Sequence, residues 1–319
     1  MRILVINCGS TSLKYKLYEA DQQRLSHLAA ASVSMKPGDE APVAAVLAAL
    51  PARPEAVAHR VVHGGDRFTA AVRVDDEVFR ALTELTPLAP LHNGPALRAL
   101  EVTMTLGVPI IAAFDTAFFA DLPARARRYA LPPIPGMHRY GFHGWSHRYV
   151  MKRLATLSGE HQPTLVSLHL GSGCSAAAVR HGKPVDISMG YSPLEGLIMG
   201  TRAGDLDPGV LLHLMEGGWD AERLGRLLHH EAGLKALAGT ADMRELLSRT
   251  DAEAQEAVEL FCYRAVKYVG GYLAALEGKA QALVFTGGIG ENAPEIRGED
   301  MPAPRMGGRA ARPLAERSW

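Results

Sequence analysis

The apolar positions of this chain fall into two repeating cycles. Residues 3–6 form a short unbroken apolar run that opens directly into Asn7-Cys8-Gly9-Ser10-Thr11-Ser12, the pattern of a buried strand entering a polar turn. Leu13, Tyr15 and Leu17 then alternate with Lys14, Lys16 and Tyr18, a strand with two unlike faces. A third strand is expected over 25–35, a helix over 41–50, a strand over 56–62, a helix over 94–106 and a strand over 108–114 that runs straight into Asp115. The second cycle starts near Thr164. An apolar strand over 165–170 meets Gly171-Ser172-Gly173, a strand returns over 175–180, and His181-Gly182 turns the chain into 183–187. Both openings read strand, Gly-Ser, hairpin partner. That is either an internal duplication or the coincidence of a common motif.

The clearest helix covers 253–277, where Val258, Phe261, Cys262, Ala265, Val269, Leu273 and Leu276 recur at three- and four-residue steps and Gly278 sits just past the end. Its interior Gly270-Gly271 pair costs helix stability and is expected to permit close packing. A buried strand over 283–285 delivers Thr286-Gly287-Gly288-Ile289-Gly290-Glu291-Asn292, read as a glycine-rich turn. Residues 294–319 scatter prolines, glycines and arginines without either period and are expected to be a disordered tail.

Composition narrows the partners. At 319 residues, about two domains are expected. Hydrophobic residues at 47% and charged residues at 21% exclude wholesale disorder. Lys+Arg (34) equals Asp+Glu (34), so no global field draws the chain to nucleic acid or an anionic membrane, and any bound anion needs a local arrangement. No apolar run approaches the ~18 residues of a membrane span, and the N-terminal run is too short for a secretory signal. Three cysteines, Cys8, Cys174 and Cys262, are odd in number and widely spaced, as expected of reduced thiols in a cytoplasmic protein.

Three glycine-rich segments follow apolar strands: Gly9-Ser10-Thr11-Ser12, Gly171-Ser172-Gly173 and Gly287-Gly288-Ile289-Gly290. Glycine lets a backbone approach a phosphate and turn N–H groups toward it, although hairpins use the same residues. Three together favour a nucleotide cleft. The P-loop spacing is absent, and Gly288-x-Gly290-x-x-Ala293 lacks the following helix, strand and acid that a dinucleotide fold requires. Arg60, inside a strand pattern, and Arg202, in the turn-rich stretch 200–208, carry guanidinium forks suited to carboxylate or phosphate, or to ordinary ion pairs. Histidines cluster over 138–147, but no cysteine or acid joins them at zinc-ligand spacing, which favours a single histidine donating to a transferring phosphoryl group. Asp115, at a strand's carboxyl end, reads equally as a functional acid or a helix N-cap.

These segments, taken in order, resemble the acetate kinase family of the acetate and sugar kinase/heat-shock/actin superfamily. The matching stretches are Val5 to Tyr15, the block 59–65, Leu88-Ala89-Pro90-Leu91-His92-Asn93, 114–118, 140–147, 169–173, 193–208 and 285–292. The resemblance implies an α/β protein of two duplicated RNase H-like (actin-like ATPase) domains around a central cleft, here 1–117 and 118–293. It implies reversible phosphoryl transfer between ATP and acetate, giving ADP and acetyl phosphate, with Mg2+, in a cytoplasmic homodimer. Asn7 would lie at the metal and Lys14 at the ATP phosphates. Arg60 would bind the acyl substrate, with Val62, Leu91, Phe142 and Pro193 around its methyl group. Asp115 would be the active-site acid, and His143 and Arg202 would stabilise the transition state. His169, Leu170, Gly171, Ser172 and Gly173 would line the phosphate site. Asp242, Met243 and Arg244, then Gly288, Ile289, Gly290, Glu291 and Asn292, would hold the nucleoside.

Departures from the family pattern qualify those expectations. Ser172 stands where the family has asparagine, the segment between Tyr18 and His59 is shorter, and the family continues past the G-I-G-E-N motif with a magnesium-binding glutamate and a closing helix that have no counterpart here. A chain cut short, with impaired turnover, is therefore expected. Propionate or butyrate as substrate, and a nucleotide-binding pseudoenzyme, are the alternatives.

Overall fold

The computed structural model describes residues 1–9, 12–21, 24–34 and 41–298, apart from the side chains of Ala41, Pro90, Leu91 and His92. Ser10 and Thr11 of the first glycine turn and residues 299–319 of the expected tail lie outside the described residues. The chain folds as two compact units, Met1–Ala120 and a second beginning at Asp121. The expected boundary at 117/118 lies inside the 3-10 turn Thr116–Phe119. That turn belongs with the first unit, because Gly64 N donates to Thr116 Oγ1 at 3.1 Å and Ala117 packs on the first unit's core.

In the first unit the order is β1 (Arg2–Cys8), β2 (Ser12–Ala20), β3 (Leu25–Ser34), α1 (Ala41–Ala49), β4 (Ala56–Val61), β5 (Val72–Arg73), α2 (Asp76–Glu84), α3 (Pro90–Met104) and β6 (Ile110–Phe114). The sheet runs β3-β2-β1-β4-β6-β5. β1, β2 and β3 are an antiparallel meander, and β1, β4 and β6 are parallel. Alternation decides which face is buried: Leu4, Ile6, Leu13, Leu17, Val57, Val61 and Phe114 fill the core with Leu97 and Leu100 of α3.

The second unit contains α4 (Ala124–Arg127), α5 (Gly144–Ser158), β7 (Leu165–Leu170), β8 (Cys174–Arg180), β9 (Lys183–Ile187), α6 (Pro208–Glu216), α7 (Ala221–Arg226), α8 (Gly233–Ala238), α9 (Met243–Ser248), α10 (Ala252–Ala275), β10 (Ala282–Thr286), α11 (Gly287–Asn292) and α12 (Pro294–Gly298). Its sheet runs β10-β7-β8-β9, with β7, β8 and β9 antiparallel and β10 parallel to β7. Read from the meander side, β9-β8-β7-β10 repeats β3-β2-β1-β4 in order and direction. The strand–Gly-Ser–strand likeness is therefore an internal duplication of an RNase H-like unit. Among the described residues no helix is long and apolar enough to cross a membrane.

Four sequence expectations are corrected. The glycine-rich segment 287–292 is helical, not an open turn. Residues 294–298 form α12 rather than part of a disordered tail: Ile296 is fully buried and Arg297 Nη1 donates to Gly290 O and Glu291 O, anchors too short-ranged to leave a period. The long helix ends at Ala275, and Glu277, not Gly278, takes the first left-handed position (φ 58°). Glu277 N and Gly278 N bond Ala274 O and Leu273 O at 2.9 Å each, a Schellman closure, while Arg180 and Lys279 hold the Glu277 carboxylate. Lastly, Gly270 and Gly271 lie on the exposed side of α10, and a Cβ at either would meet no atom within 4 Å. Among the described residues nothing packs closely on the pair, which leaves its helix-weakening effect. Gly270→Ala and Gly271→Ala are each expected to raise unfolding free energy by about 0.5–1 kcal/mol in denaturant titrations; a loss of stability would show that the glycines are needed there.

Candidate active site

Parallel strands of one sheet end at one edge, and in the first unit that edge collects the polar residues. In register, Asn7 of β1 lies opposite Lys14 of β2 and beside Arg60 of β4, so the three stand in a row on the face opposite Leu4 and Ile6. Asp115 follows β6 directly. Arg60 Nε and Nη2 donate to Asp115 Oδ1 and Oδ2 at 2.8 and 2.5 Å, and Nη1 donates to Asn7 Oδ1 at 3.0 Å. Asp115 is buried and uses both carboxylate oxygens on the arginine, and no cap bond joins its side chain to the turn it precedes. The N-cap alternative is thereby resolved in favour of an ion pair. Burial depresses the Arg60 pKa, but the Asp115 charge and hydrogen bonds outweigh it and hold the guanidinium above its ordinary value. Those contacts use three of the five N–H donors of Arg60. Lys14 is exposed, Val62 is buried, and the side chain of Leu91 lies outside the described residues. Sequence reasoning gave no role to Asn93, whose amide accepts from His63 N and donates to His63 O, tying the segment after Val62 to α3.

The second unit builds its polar edge at the ends of β7 and β10. His169 pairs with Thr286 in the ladder, so the glycine segments that follow the two strands sit side by side. A Cβ at Gly171 would lie 3.9 Å from Gly288 N, and one at Gly287 (φ 81°) would fall 2.5 Å from Leu170 O. Gly171 N donates to Gly173 O and Gly200 N to Ser172 O, which closes the turn and joins it to the segment bearing Arg202. A Cβ at Gly173 would lie 3.0 Å from Arg202 Nη2 and 3.4 Å from His143 Nε2. The guanidinium and the imidazole thus converge on one glycine.

Arg202 has no carboxylate partner among the described residues. Its Nη1 donates to Pro193 O at 2.7 Å, and burial lowers its pKa, opposed only by Cys174. An uncompensated, largely enclosed cation beside glycine backbone is an arrangement suited to an anion. His143 is held in the left-handed region (φ 58°) at the start of α5, a strained conformation of the kind that concentrates at functional sites. Its ring lies 4.3 Å from that of His169, whose Nδ1 meets Ser146 Oγ at 2.8 Å.

The remaining expected residues are spread over the second unit. Phe142 and Pro193 are buried. Asp242 caps α9 and pairs with Arg244, whose bonds hold the carboxyl down at about 2, whereas the Met243 side chain belongs to the core. Glu291 folds back onto Thr286 Oγ1 and Gly287 N, Asn292 bonds Gly288 O, and Ser172 is exposed. Two serines were missed. Ser167 and Ser175, both fully buried, hydrogen-bond His147, and Ser175 also bonds His143. Lone hydroxyls in otherwise apolar strands were the available signal.

The sequence pattern of the acetokinase family matches residues 44–312. An acetate kinase from Kocuria rhizophila is 40% identical over 350 residues, covering 93% of this chain and 85% of its own. The crystal structure of Porphyromonas gingivalis acetate kinase superposes with a TM-score of 0.83 at 36% identity, over 95% of this chain and 87% of that one. A propionate kinase from Francisella tularensis superposes with a TM-score of 0.84 at 32% identity, over 94% and 87%.

Two buried imidazoles set a pH dependence. Burial pulls His59, bonded through Nε2 to Thr103 Oγ1, down to about 3, and burial with a smaller contribution from His169 does the same to His147. Unfolded, both rings protonate near 6.5. Between those values the unfolded chain binds the extra protons, so stability is full above about pH 6.5 and falls with acidification, by up to about 1.4 kcal/mol per pH unit for each ring. Denaturant titrations at pH 7.5 and 5.5 are expected to show this loss in both units, and His59→Gln to flatten it in the first; equal stability at the two pH values would contradict the burial assignment.

Proposed function

The chain belongs to the acetokinase family, and from that premise we propose that it catalyses reversible transfer of the γ-phosphoryl group of ATP to the carboxylate of acetate, giving ADP and acetyl phosphate. One observation carries the proposal: the Arg202 guanidinium, without a carboxylate partner among the described residues, converges with His143 on Gly173 of a strand-end glycine turn.

Phosphoryl transfer asks little covalent chemistry of the protein; it asks for positioning and for cover of the charge on the equatorial oxygens. In the proposed roles, Arg202 and His143 supply that cover with charge-assisted and neutral donors. Arg60 holds the acyl carboxylate with its remaining N–H groups while Asp115 and Asn7 fix its plane. His169 and the 170–173 turn, with 288–292, take the phosphates and nucleoside, and Lys14, exposed on β2, adds a positive charge. For the alkyl group the family resemblance points to Val62 in the first unit and to Phe142 and Pro193 in the second, all three buried.

Asn7 Oδ1 is one neutral oxygen, and among the described residues no group of three or more His, Cys, Asp or Glu side chains could hold a metal ion. That donor set fits a Mg2+ ion that arrives on the nucleotide phosphates and keeps its waters, with Asn7 as a single protein ligand. When bound, such an ion neutralises phosphate charge. Cys8, Cys174 and Cys262 are all buried, and their odd number and wide spacing along the chain support a reducing, cytoplasmic location. A homodimer is supported by α6, which buries none of its residues and leaves Leu212 61% and Met215 55% exposed.

Propionate is the second reading, favoured by the propionate kinase likeness. One methylene is worth about 1–3 kcal/mol, so a preference rather than exclusion is expected between the two acids.

Trapping of acetyl phosphate with hydroxylamine tests the reaction. With acetate and MgATP the protein is expected to form it. Arg202→Ala is expected to lower kcat about 10²- to 10³-fold, the range for losing a preorganised donor at developing charge. Arg60→Ala should instead raise KM for acetate by about 10- to 100-fold, as for a lost charged hydrogen-bond pair. ATP binding without any acetyl phosphate would mark a pseudoenzyme and end the kinase reading. Light scattering is expected to give twice the chain mass, and Leu212→Glu to halve it; an unchanged mass would remove α6 from the interface.

A further inference from the structure

Behind His143 lies a chain of hydrogen bonds that the transfer reaction described above does not itself require. Ser167 Oγ meets His147 Nδ1 at 2.6 Å, His147 Nε2 meets Ser175 Oγ at 2.8 Å, and Ser175 Oγ meets His143 Nδ1 at 2.9 Å. Ser167 lies on β7, His147 on α5 and Ser175 on β8, and all three are fully buried. The chain starts in the interior of the second unit and ends on the ring whose other nitrogen faces the space at Gly173 that Arg202 Nη2 also borders.

Each hydroxyl has one hydrogen, which gives the chain a direction. His147 is deeply buried and burial lowers its pKa to about 3, so it is neutral and carries one ring proton. Ser167 Oγ has His147 Nδ1 as its partner. If that nitrogen were the donor, the Ser167 hydroxyl hydrogen would be left without an acceptor in the interior, whereas the opposite direction gives every hydrogen of the chain a partner. Ser167 therefore donates to Nδ1. The His147 proton then sits on Nε2 and is donated to Ser175 Oγ, and Ser175 must pass its own hydrogen on to His143 Nδ1. His143 is left as an acceptor at Nδ1 and a donor at Nε2.

We propose that Ser167, His147 and Ser175 form a positioning relay that fixes His143 in its Nε2–H tautomer, so that an N–H rather than a lone pair faces Gly173. Beside Arg202 a lone pair would repel the oxygen of an incoming phosphoryl group, and an N–H binds it. The relay supplies the donor without adding a second full charge next to the guanidinium. The 4.3 Å contact with the His169 ring and the left-handed backbone of His143 restrict the same ring from two other sides. His143 is the residue that would touch the phosphoryl group, and the three relay residues act through it. The inference deepens the proposed phosphoryl transfer and rests on that reading for its catalytic consequence, but the tautomer itself does not depend on it.

The test is a two-bond 1H–15N correlation spectrum of histidine-labelled protein, with the His143 signals identified by their loss in His143→Gln. The wild type is expected to show His143 as the Nε2–H tautomer. Ser175→Ala should move it to a mixture or to Nδ1–H, and lower kcat about tenfold or more while KM for ATP and acetate stays within about twofold, as for loss of a group that orients a catalytic one. Ser167→Ala, which leaves Ser175 in place, should shift the His143 signals in the same direction and provides the reading should Ser175→Ala not fold. A wild-type Nδ1–H spectrum, or variants with unchanged tautomer and turnover, would overturn the relay. An Nε2–H spectrum in a wild type that makes no acetyl phosphate would support the relay and refute the kinase reading alone.

Discussion

A guanidinium does not release its proton within the range where proteins fold, so every enclosed arginine must find compensating oxygen or remain a standing cost. Arg60 and Arg202 meet this constraint in opposite ways. Arg60 is matched edge to edge by the Asp115 carboxylate and steadied by Asn7, and its charge is reinforced. Arg202 is given one backbone carbonyl, that of Pro193, and burial works against its charge. The first arrangement fixes a fork; the second leaves room for an anion. The glycine turn and the strained His143 stand beside that cation, and Ser175 and His147 are hydrogen-bonded in series behind His143.

The fold supplies the geometry through strand direction. In both sheets a meander is followed by a parallel strand, so residues at or just past the carboxyl ends of β1, β4 and β6, or of β7 and β10, reach one edge together. Asn7, Arg60 and Asp115 are distant in sequence but adjacent at that edge. Duplication of the unit therefore yields two polar edges from one topology, each filled with different side chains. One holds an ion pair, and the other holds glycine and imidazole.

Much of this was legible in the residues. Period-two alternation located β2, and apolar runs located β1, β7 and β10, because burial acts on each position separately. The strand-end glycines and Arg60, Arg202 and Asp115 were singled out on chemistry, as was the histidine cluster 138–147, whereas the choice of His143 within it came from the family resemblance. Partner choice was not legible. Nothing local says that Asp115 spends both oxygens on Arg60 rather than capping the turn it begins, since the two lie 55 residues apart. α5 runs through the histidine cluster without a clean apolar stripe, and α11 is a helix built on three glycines, so tertiary contacts outweigh propensity there. Ser167 and Ser175 read as unremarkable strand residues until His147 is placed between them. Gly270-Gly271 misled for the opposite reason: composition suggested a packing role, and the helix simply tolerates the pair on its solvent side.

The central claim is that Arg202 is kept uncompensated for the sake of a ligand. Denaturation of Arg202→Met beside the wild type, with and without MgADP, tests it most directly. Replacing an unpaired, partly buried charge by an apolar chain of similar length is expected to leave the ligand-free protein as stable or more stable, and to abolish most of the stabilisation that MgADP confers on the wild type. A ligand-free variant clearly weaker than the wild type, or one stabilised by MgADP to the same extent, would mean that Arg202 serves the fold rather than an anion.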